Sequence, residues 1–445
     1  MEKNLTSGSV MKNLLFFSLP YLLSYFLQTL YGMADLLIIG QFDGVAATTA
    51  VSVGSQVMHM LTVMIVGLAM GATVNIGRAV GGRDRQKTAL FTGNTVTLFM
   101  ALSLILTVLL LICRRWIVSL VSTPADAVEG TVDYLTVCFI GIPFITAYNI
   151  ISAVLRGMGD SKSPMYFIAI ACVSNIALDY LFMGACDMGP AGAALGTTLS
   201  QAISVIISLV FIKRRQSDFS LTRTDLKPKK DIMGSILKIG VPVAMQDGLI
   251  QISFMVITVI ANRRGLNDAA AVGIVEKIIS FLFLVPSSIL SAVSALGAQN
   301  IGAQKPERAR KTLFYAIFIA AGFGGAVAVI MQFLSRGAVS LFTDGTEVIR
   351  LGGEYLSGYV WDCIFAGVHF AFSGYFCACG KSGLSFMHNI IAILLVRVPG
   401  AYFTSVMFPS TLYPMGLATA AGSLLSAIIC AVAFLILRRR DRQLT

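Results

Sequence analysis

Charged side chains are scarce in this chain. Asp, Glu, Lys and Arg make up 12% of its 445 residues, whereas hydrophobic residues make up 56%. A soluble globular chain carries about 25% charged residues. The composition therefore excludes a soluble globular protein and predicts an all-α membrane protein that crosses the lipid bilayer many times. Because basic residues in such a chain must be interpreted by their position, the formal net charge of +11 does not predict a nucleic-acid partner.

Side chains that bind metals or catalyse reactions are also few. The three histidines have no second ligand at metal spacing, and the one close pair of cysteines, Cys377 and Cys379, lacks the spacing of a zinc site. No glycine-rich motif in a strand–helix context is present to hold a nucleotide phosphate. A membrane-embedded enzyme such as a lipid transferase would need acids or histidines clustered at one membrane interface. The sequence therefore predicts neither an enzyme nor a cofactor, and it does not favour an ATP-driven pump.

Long apolar runs account for most of the chain. A membrane-spanning helix needs about 20 apolar residues, and the sequence predicts twelve such segments. An even number of crossings places both termini on the same side of the membrane. The predicted segments are 14–40, 47–75, 90–112, 131–155, 164–184, 190–212, 235–262, 271–297, 313–334, 351–378, 384–407 and 413–437.

The distribution of basic residues predicts which side holds the termini. With a cytoplasmic N-terminus, 25 of the 33 lysines and arginines fall on the cytoplasmic side, and only six fall in the outer loops. Cytoplasmic loops of membrane proteins carry an excess of Lys and Arg. We therefore expect a multi-pass protein of the plasma membrane with both termini in the cytoplasm.

The two halves of the chain repeat. Because each half holds six segments, the halves have the same orientation in the membrane and form two lobes related by a pseudo-twofold axis along the membrane normal. The predicted lobes are 1–212 and 233–445, joined by a basic cytoplasmic linker over 213–232. Four matches recur at almost the same separation along the chain: Pro20 with Pro242, Gly82 with Gly302, Tyr134 with Tyr355, and Gly159 with Gly380.

An aspartate, Asp35, lies inside the first apolar segment. An ionisable residue at membrane depth is costly and marks a functional site. Asn175 and Asp179 are four residues apart in the fifth segment, so they share one helix face. Counting about 1.5 Å of rise per residue from the outer ends of the helices places these two residues, and Thr197 of the sixth segment, at the depth of Asp35.

Two carboxylates, an amide and a hydroxyl at one depth are suitable ligands for a proton or a small hard cation. Burial and a second negative charge both disfavour the ionised form of a carboxyl group, so the two acids would share a proton as a unit. The alternative is that backbone or hydroxyl groups satisfy each acid separately. Pro20, near the start of the first segment, is either a bend point or simply the start of the helix.

These features together resemble the multidrug and toxic compound extrusion (MATE) family. The resemblance covers essentially the whole chain, and within the family it is greatest for the DinF-like branch. It rests on the twelve segments in two repeats, Pro20, Asp35, the loop Arg156-Gly-Met-Gly-Asp160-Ser and the helix with Asn175-x-x-x-Asp179.

The resemblance to the DinF-like branch implies roles for particular residues of the N-terminal lobe. The coupling ion is expected to be H⁺ or Na⁺, and a bound Na⁺ would lie at Asp35, Asp179 and Asn175. The implied cation-coupling residues are Asp35, Asn175, Asp179, Thr197 and Asn149. The implied lining of the substrate cavity is Gln28, Tyr31 and Pro20.

The C-terminal lobe matches the other branch, NorM-like, less well. That branch keeps a glutamate in the seventh helix, where this chain has Ile250, and an aspartate in the tenth, where Asp362 comes a turn early. An aspartate and an arginine in neighbouring helices of this lobe would neutralise each other. The candidates for a role in this lobe are Asp247, Gln251, Glu276, Asp362 and Arg397.

The sequence and the resemblance together predict a secondary antiporter. An inward or outward flow of H⁺ or Na⁺ at Asp35 and Asp179 would drive the export of amphipathic, cationic drugs or toxic compounds by alternating access. The alternative function is a flippase for a lipid-linked saccharide or another lipid, whose cavity should be more basic in order to accept phosphates. The expected partners are a small-molecule substrate and the lipid bilayer, with the chain acting as a monomer.

Overall fold

The computed structural model describes residues 4–214 and 221–443, with side chains as far as Arg439, and these residues form helices and short connections without any strand. Eleven helical spans are long and apolar enough to cross a membrane, and a helix pair bent by 41° supplies a twelfth crossing. The prediction of an all-α, polytopic membrane protein is confirmed.

Six of the spans lie in the first half of the chain. The fourth begins with a short 3₁₀ turn, Ala125–Ala127, and the fifth continues beyond its α-helix as a π-helix, Tyr180–Ala185. Their α-helices are α1 (Val10–Phe42), α2 (Val45–Gly81), α3 (Arg85–Leu120), α4 (Val128–Gly157), α5 (Lys162–Asp179) and α6 (Gly189–Arg214).

The other six spans lie in the second half. Three of them consist of two α-helices each, and the last of these three carries a π-helix, Ile393–Arg397, between its two parts. The α-helices are α7 (Lys230–Arg264), α8 (Leu266–Leu282), α9 (Leu284–Gly302), α10 (Pro306–Ser340), α11 (Thr346–Tyr359), α12 (Asp362–Ala378), α13 (Ser382–Ala392), α14 (Val398–Met407) and α15 (Tyr413–Gln443). The pairs α8 with α9, α11 with α12, and α13 with α14 each form one crossing.

The helices extend past the predicted apolar segments at most ends. The third segment was predicted over 90–112, whereas α3 runs from Arg85 to Leu120. The Asp84 side chain accepts the backbone N–H of Lys87 at 2.9 Å and so caps the start of α3. Hydrogen bonds from Lys87 also lower the pKa of Asp84 below its usual value. Hydropathy marks the part of a helix that lies in lipid, whereas capping groups set where the helix ends.

The chain divides into two compact units that differ slightly from the predicted lobes. Unit 1 contains Leu19–Gly240, and unit 2 joins Leu5–Ser18 to the chain from Val241 onward. The first turns of α1 therefore pack in unit 2, and the first turns of α7 pack in unit 1. The two switch points, after Ser18 and after Gly240, correspond in the repeat, because Pro20 and Pro242 each follow two residues later.

Side chains of unit 2 hold the exchanged segment Leu5–Ser18. In unit 2 the backbone N–H of Leu5 donates to Gln299 at 3.3 Å, and Arg308 donates to the carbonyls of Ser7 and Gly8 at 3.1 and 3.0 Å. The exchange explains why the predicted boundaries at 212 and 233 differ from the observed ones. Hydropathy places a helix in the membrane but does not tell which bundle its first turns join.

The predicted linker over 213–232 is built into unit 1 where the structure describes it. In unit 1 the amide of Asn94 donates to the carbonyl of Asp225 at 3.1 Å, and its oxygen accepts the N–H of Lys229 at 2.7 Å. α6 continues to Arg214 and α7 begins at Lys230. Residues 215–220 of the predicted linker lie outside the described residues, as do residues 1–3 of the predicted first lobe.

Close backbone contact joins α7 to α2 inside unit 1. A Cβ atom built on Gly240 would lie 2.2 Å from the carbonyl oxygen of Leu68, and one built on Gly71 would lie 2.1 Å from that of Ile236. Only glycine permits helices to approach this closely without displacing backbone.

This contact predicts a clear difference between two glycines of α7. Gly240→Ala should destabilise the protein by about 1 to 3 kcal/mol, because an added methyl group overpacks a rigid backbone contact. Gly234→Ala is the matched control, since nothing lies within 4 Å of its Cβ position and alanine favours a helix. The midpoint of thermal unfolding in detergent should fall for the first variant and stay level or rise for the second; equal midpoints would contradict the close contact.

Candidate functional site

Four polar side chains of unit 1 form one hydrogen-bonded group inside the apolar spans. Thr197 donates from Oγ1 to Asp35 Oδ2 at 3.1 Å. Asn175 donates from Nδ2 to Asp179 Oδ1 at 3.3 Å and to Thr197 Oγ1 at 3.5 Å. The structure thus brings together the residues that the depth count placed at one level. We call these four residues the carboxylate group.

The carboxylate group is shielded from solvent. Asp35 is 2% exposed, and Asn175 and Asp179 are 0% exposed. Around it lies an apolar cluster to which α1 contributes Ile38 and Ile39, both buried. Because Ile38 and Ile39 follow Asp35 by less than two turns, their packing fixes the end of α1 that carries the acid.

Three helices position the carboxylate group. α1 carries Asp35, α5 carries Asn175 and Asp179 one turn apart on its buried face, and α6 carries Thr197. Gly196 lets α6 approach α5, since a Cβ atom at that position would lie 2.1 Å from Asp179 Oδ1. Gly196 was not among the predicted site residues, and its place directly before a candidate threonine was the one signal for it.

Asp179 is the last residue of α5, and the chain continues from it as the π-helix Tyr180–Ala185. Single π-turns within helices occur frequently at functional sites. This turn has no sequence signal in hydropathy or periodicity, because the composition of the segment is that of an ordinary apolar helix. The sequence analysis therefore missed it.

Several oxygen atoms of the carboxylate group lack a hydrogen-bond donor. Asp35 Oδ1, Asn175 Oδ1 and Asp179 Oδ2 are buried without a partner. The carboxyl groups of Asp35 and Asp179 lie within hydrogen-bonding reach of each other. A buried polar atom without a partner costs free energy, and two facing carboxylates repel unless a proton or a cation lies between them.

The donor set of the carboxylate group fits a proton or a small hard cation. It offers two carboxylates, an amide oxygen and a hydroxyl, which are oxygen ligands of the kind that such cations prefer. Within residues 4–214 and 221–443, no three Asp, Glu, His or Cys side chains come close enough to hold a metal ion. The group is therefore unlike a structural transition-metal site, which uses nitrogen and sulfur ligands.

The other predicted residues of the first lobe lie outside the carboxylate group. Tyr31, one turn before Asp35, packs against a buried cluster that includes Tyr148 and Phe167. Gln28 is half-buried. The amide of Asn149 donates to the carbonyl of Ile145 in its own helix at 2.8 Å.

Pro20 lies inside α1, because this helix begins ten residues earlier, at Val10. The alternative that Pro20 marks the start of the helix is therefore wrong. Its carbonyl accepts the hydroxyl of Ser24 at 2.8 Å, and Tyr21 beside it is buried with the guanidinium of Arg156 4.0 Å from the ring centre.

The C-terminal candidates form a different arrangement in unit 2. Arg397 is 6% exposed, donates to the hydroxyl of Tyr359 at 2.6 Å and lies 4.9 Å from the ring centre of Phe254. Both carboxylate oxygens of Asp362 are buried without a hydrogen-bond partner. The expected Asp–Arg pair is therefore electrostatic and not a direct hydrogen bond.

The remaining C-terminal candidates are less enclosed. Glu276 accepts the hydroxyl of Thr258 at 3.0 Å. Asp247 and Gln251 are half-buried on α7. None of these three is hydrogen-bonded to Arg397 among the described residues.

Both halves of the chain match the same protein-family model. The MatE family model matches residues 20–181 and again residues 242–403. The chain belongs to the MATE family. The two matched ranges are equal in length and begin at Pro20 and Pro242, which agrees with the repeat in the sequence. Proteins of this family are membrane transporters, so the chain is a transporter and not an enzyme.

Curated relatives span nearly the same length as this MATE-family chain. The probable multidrug resistance protein YpnP of Bacillus subtilis is 30% identical over 88% of each chain. YoeA of the same organism, also named a probable multidrug resistance protein, is 28% identical over 89% of this chain and 87% of its own. The multidrug export protein MepA of Staphylococcus haemolyticus is 25% identical over 91% of this chain and 89% of its own.

Solved structures support the same fold. The crystal structure of a MATE protein in the straight conformation matches with a TM-score of 0.90 at 23% identity, over 99% of this chain and 98% of that one. An outward-facing multidrug resistance MATE transporter matches with a TM-score of 0.90 at 22% identity, over 99% and 98% of the two chains. At this level of identity the match establishes the fold alone.

The hydrogen bonds of the carboxylate group predict different roles for two adjacent threonines. Thr197→Val should lower the free energy of unfolding by about 1.5 to 3 kcal/mol, because a hydrogen bond to a charged group is worth about that much and Asp35 Oδ2 would lose its donor. Thr198→Val is the matched control, since the hydroxyl of Thr198 is buried without a partner. The midpoint of thermal unfolding of the purified protein in detergent provides the measurement. Equal losses in both variants would show that the hydroxyl of Thr197 has no special role.

Proposed function

We propose that this MATE-family chain is a cation-coupled antiporter that exports amphipathic, cationic organic compounds. The observation that carries the proposal is the carboxylate group: two buried acids face each other within apolar spans, and the residues that act on Asp35 most strongly are polar or acidic, not basic. A charged pair of this kind is costly in a membrane protein unless it binds a cation as part of its function.

In this proposal the coupling ion, H⁺ or Na⁺, binds between Asp35, Asp179 and Asn175. The hydroxyl of Thr197 links the acid on α1 to the amide on α5. Binding removes the repulsion between the two carboxylates and draws α1 toward α5. Release restores the repulsion, so the position of α1 follows the occupancy of the site.

The substrate class follows from the sign of the charge. Two acids attract organic cations, and Tyr31 and Gln28 lie on the same helix as Asp35, one and two turns before it. An organic cation near these residues would compete with the coupling ion for the same negative charge. Such competition gives exchange, because binding of one cation favours release of the other. The names of the curated relatives, which are multidrug resistance and export proteins, support this class of substrate.

A lipid flippase is the weaker alternative. A cavity that accepts lipid phosphates should present basic side chains, since phosphate is recognised by Arg and Lys. The carboxylate group has the opposite charge.

We also propose that the chain acts as a monomer in the plasma membrane. The distribution of its basic residues supports a cytoplasmic location for both termini.

Removing one acid tests the proposal. Asp35→Asn and Asp179→Asn should each abolish resistance to cationic drugs and efflux of ethidium from loaded cells, with at least a tenfold fall in the initial rate. Each variant keeps the shape of the side chain but removes the charge that attracts a cation. The initial rate of efflux is measured with and without a sodium gradient and at two external pH values.

Asp133→Asn is the matched control, because Asp133 lies in the same unit but is exposed. It should leave efflux unchanged. Full efflux by Asp35→Asn, with normal amounts of protein in the membrane, would refute the assignment of the coupling site. Loss of efflux in all three variants would point instead to a general effect of surface charge.

A further inference from the structure

The duplication places an arginine where the carboxylate group has an amide. The two ranges matched by the family model begin and end at the same separation along the chain, although Gly82 and Gly159 lie one or two residues closer to their counterparts. The shift that takes Pro20 to Pro242 also takes Asn175 to Arg397 and Tyr180 to the identical residue Tyr402. Arg397 is therefore the second-half counterpart of a residue that belongs to the proposed cation site.

The two acids of the carboxylate group have no acidic counterpart in the second half. By the same shift, Asp35 corresponds to Ile257 and Asp179 to Ala401. The second half thus has neither carboxylate and has a guanidinium in addition. The charge at this place is reversed between the two halves.

The structure holds Arg397 in a fixed position inside unit 2. It ends the π-helix Ile393–Arg397, donates to Tyr359 and lies over Phe254. Gly422 leaves room for it, since a Cβ atom there would lie 2.9 Å from that of Arg397. A guanidinium held by an aromatic ring and a buried hydroxyl cannot leave its site as a free ion can.

Acids surround this fixed cation. Arg397 interacts electrostatically with Asp362 and Glu276, as well as with the hydroxyl groups of Tyr355 and Tyr359. The imidazole of His369 is also within electrostatic range. Asp362 is 0% exposed. The guanidinium of Arg397 is the positive charge that acts on its carboxylate, and the hydroxyl of Ser423 acts on it as well.

Arg397 borders a small cavity. The cavity has a volume of about 20 Å³ and is also lined by His369, Asn389, Ser423 and Ser426, which leaves room for about one water molecule. A small cation could therefore take the place of the guanidinium if the arginine side chain were removed.

We propose that Arg397 is a tethered cation, which takes in unit 2 the place that the exchangeable cation takes in unit 1. It permanently offsets the charge of Asp362, so unit 2 requires no coupling ion and only unit 1 exchanges one. The residue therefore sets the number of cations that the protein binds. This proposal rests on the cation coupling proposed for unit 1.

The test is to remove the tethered cation and count the cations that replace it. Cation equivalents bound per purified chain are measured with radioactive Na⁺ and, in parallel, as protons taken up from a weakly buffered indicator solution. All variants carry Asp35→Asn, which silences unit 1. Adding Arg397→Asn should create one new equivalent of H⁺ or Na⁺ per chain, and adding Asp362→Asn as well should abolish it. With Arg397 in place, Asp362→Asn should change nothing.

Two results would overturn the proposal. In the first, the Arg397→Asn variant binds the same number of cations whether or not it also carries Asp362→Asn. In the second, Asp362→Asn changes the number of bound cations although Arg397 is present. Failure of the proposed coupling site is a separate result, seen when Asp35→Asn alone leaves binding at the level of the unmodified protein. All variants in the Asp362 comparison carry Asp35→Asn. The comparison therefore tests the role of Arg397 whether or not the proposed coupling site in unit 1 is correct.

Two further variants cover the possibility that Arg397→Asn does not fold. Arg397→Lys keeps the positive charge, and Arg397→Asn with Asp362→Asn removes both charges. If Arg397 acts as a counter-cation, both should be recovered as monodisperse protein, and neither should show the new equivalent. If neither of these two variants folds, the protein requires the shape of the arginine side chain and not its charge, which would refute the proposal.

Discussion

Two carboxylates buried beside each other in apolar helices are the constraint on which unit 1 depends. Neither can be hydrated where it lies, and each repels the other when both are ionised. The surrounding residues respond to this constraint. Thr197 and Asn175 donate to one oxygen of each acid, while Gly196 gives Asp179 the space that a side chain would take. The remaining oxygens have no donor among the described residues, and in the proposed function a proton or a cation supplies the missing partner.

Much of this site could be predicted because depth and helical periodicity are simple functions of sequence position. The spacing of Asn175 and Asp179 indicated their common face, and the count of residues from the outer helix ends indicated the level of Thr197. The same count cannot report which neighbouring groups touch. The resemblance added Asn149, whose amide bonds to its own helix. The only signal for Gly196 was its place directly before Thr197, and the π-turn after Asp179 had none. These features depend on how closely α5 and α6 pack. That distance is set by contacts between individual residues of the two helices, and hydropathy carries no information about such contacts.

The fold itself was more predictable than its division into units. Twelve apolar segments and a repeat at a nearly constant separation are strong signals, since lipid allows few alternatives to a helix. The exchange of the first turns of α1 and α7 has no such signal, because their hydropathy would be the same whichever bundle they join. The two halves also differ in chemistry while sharing their architecture. Asn175 and Arg397 occupy corresponding positions, yet one lies among acids that lack a basic partner and the other is itself the basic partner of an acid.

The exchange of helix ends also bears on how the chain is made. Leu5–Ser18 leave the ribosome early, but the side chains that bind them, Gln299, Asn300 and Arg308, are synthesised only in the second half of the chain. Unit 1 receives its own exchanged segment as soon as Gly240 has been synthesised. During synthesis the N-terminal segment must therefore wait, without these partners, until the second half is inserted. The connectivity thus sets an order of assembly. Unit 1 can close once Gly240 has been synthesised, whereas unit 2 can bind its exchanged segment only after Arg308 has been synthesised.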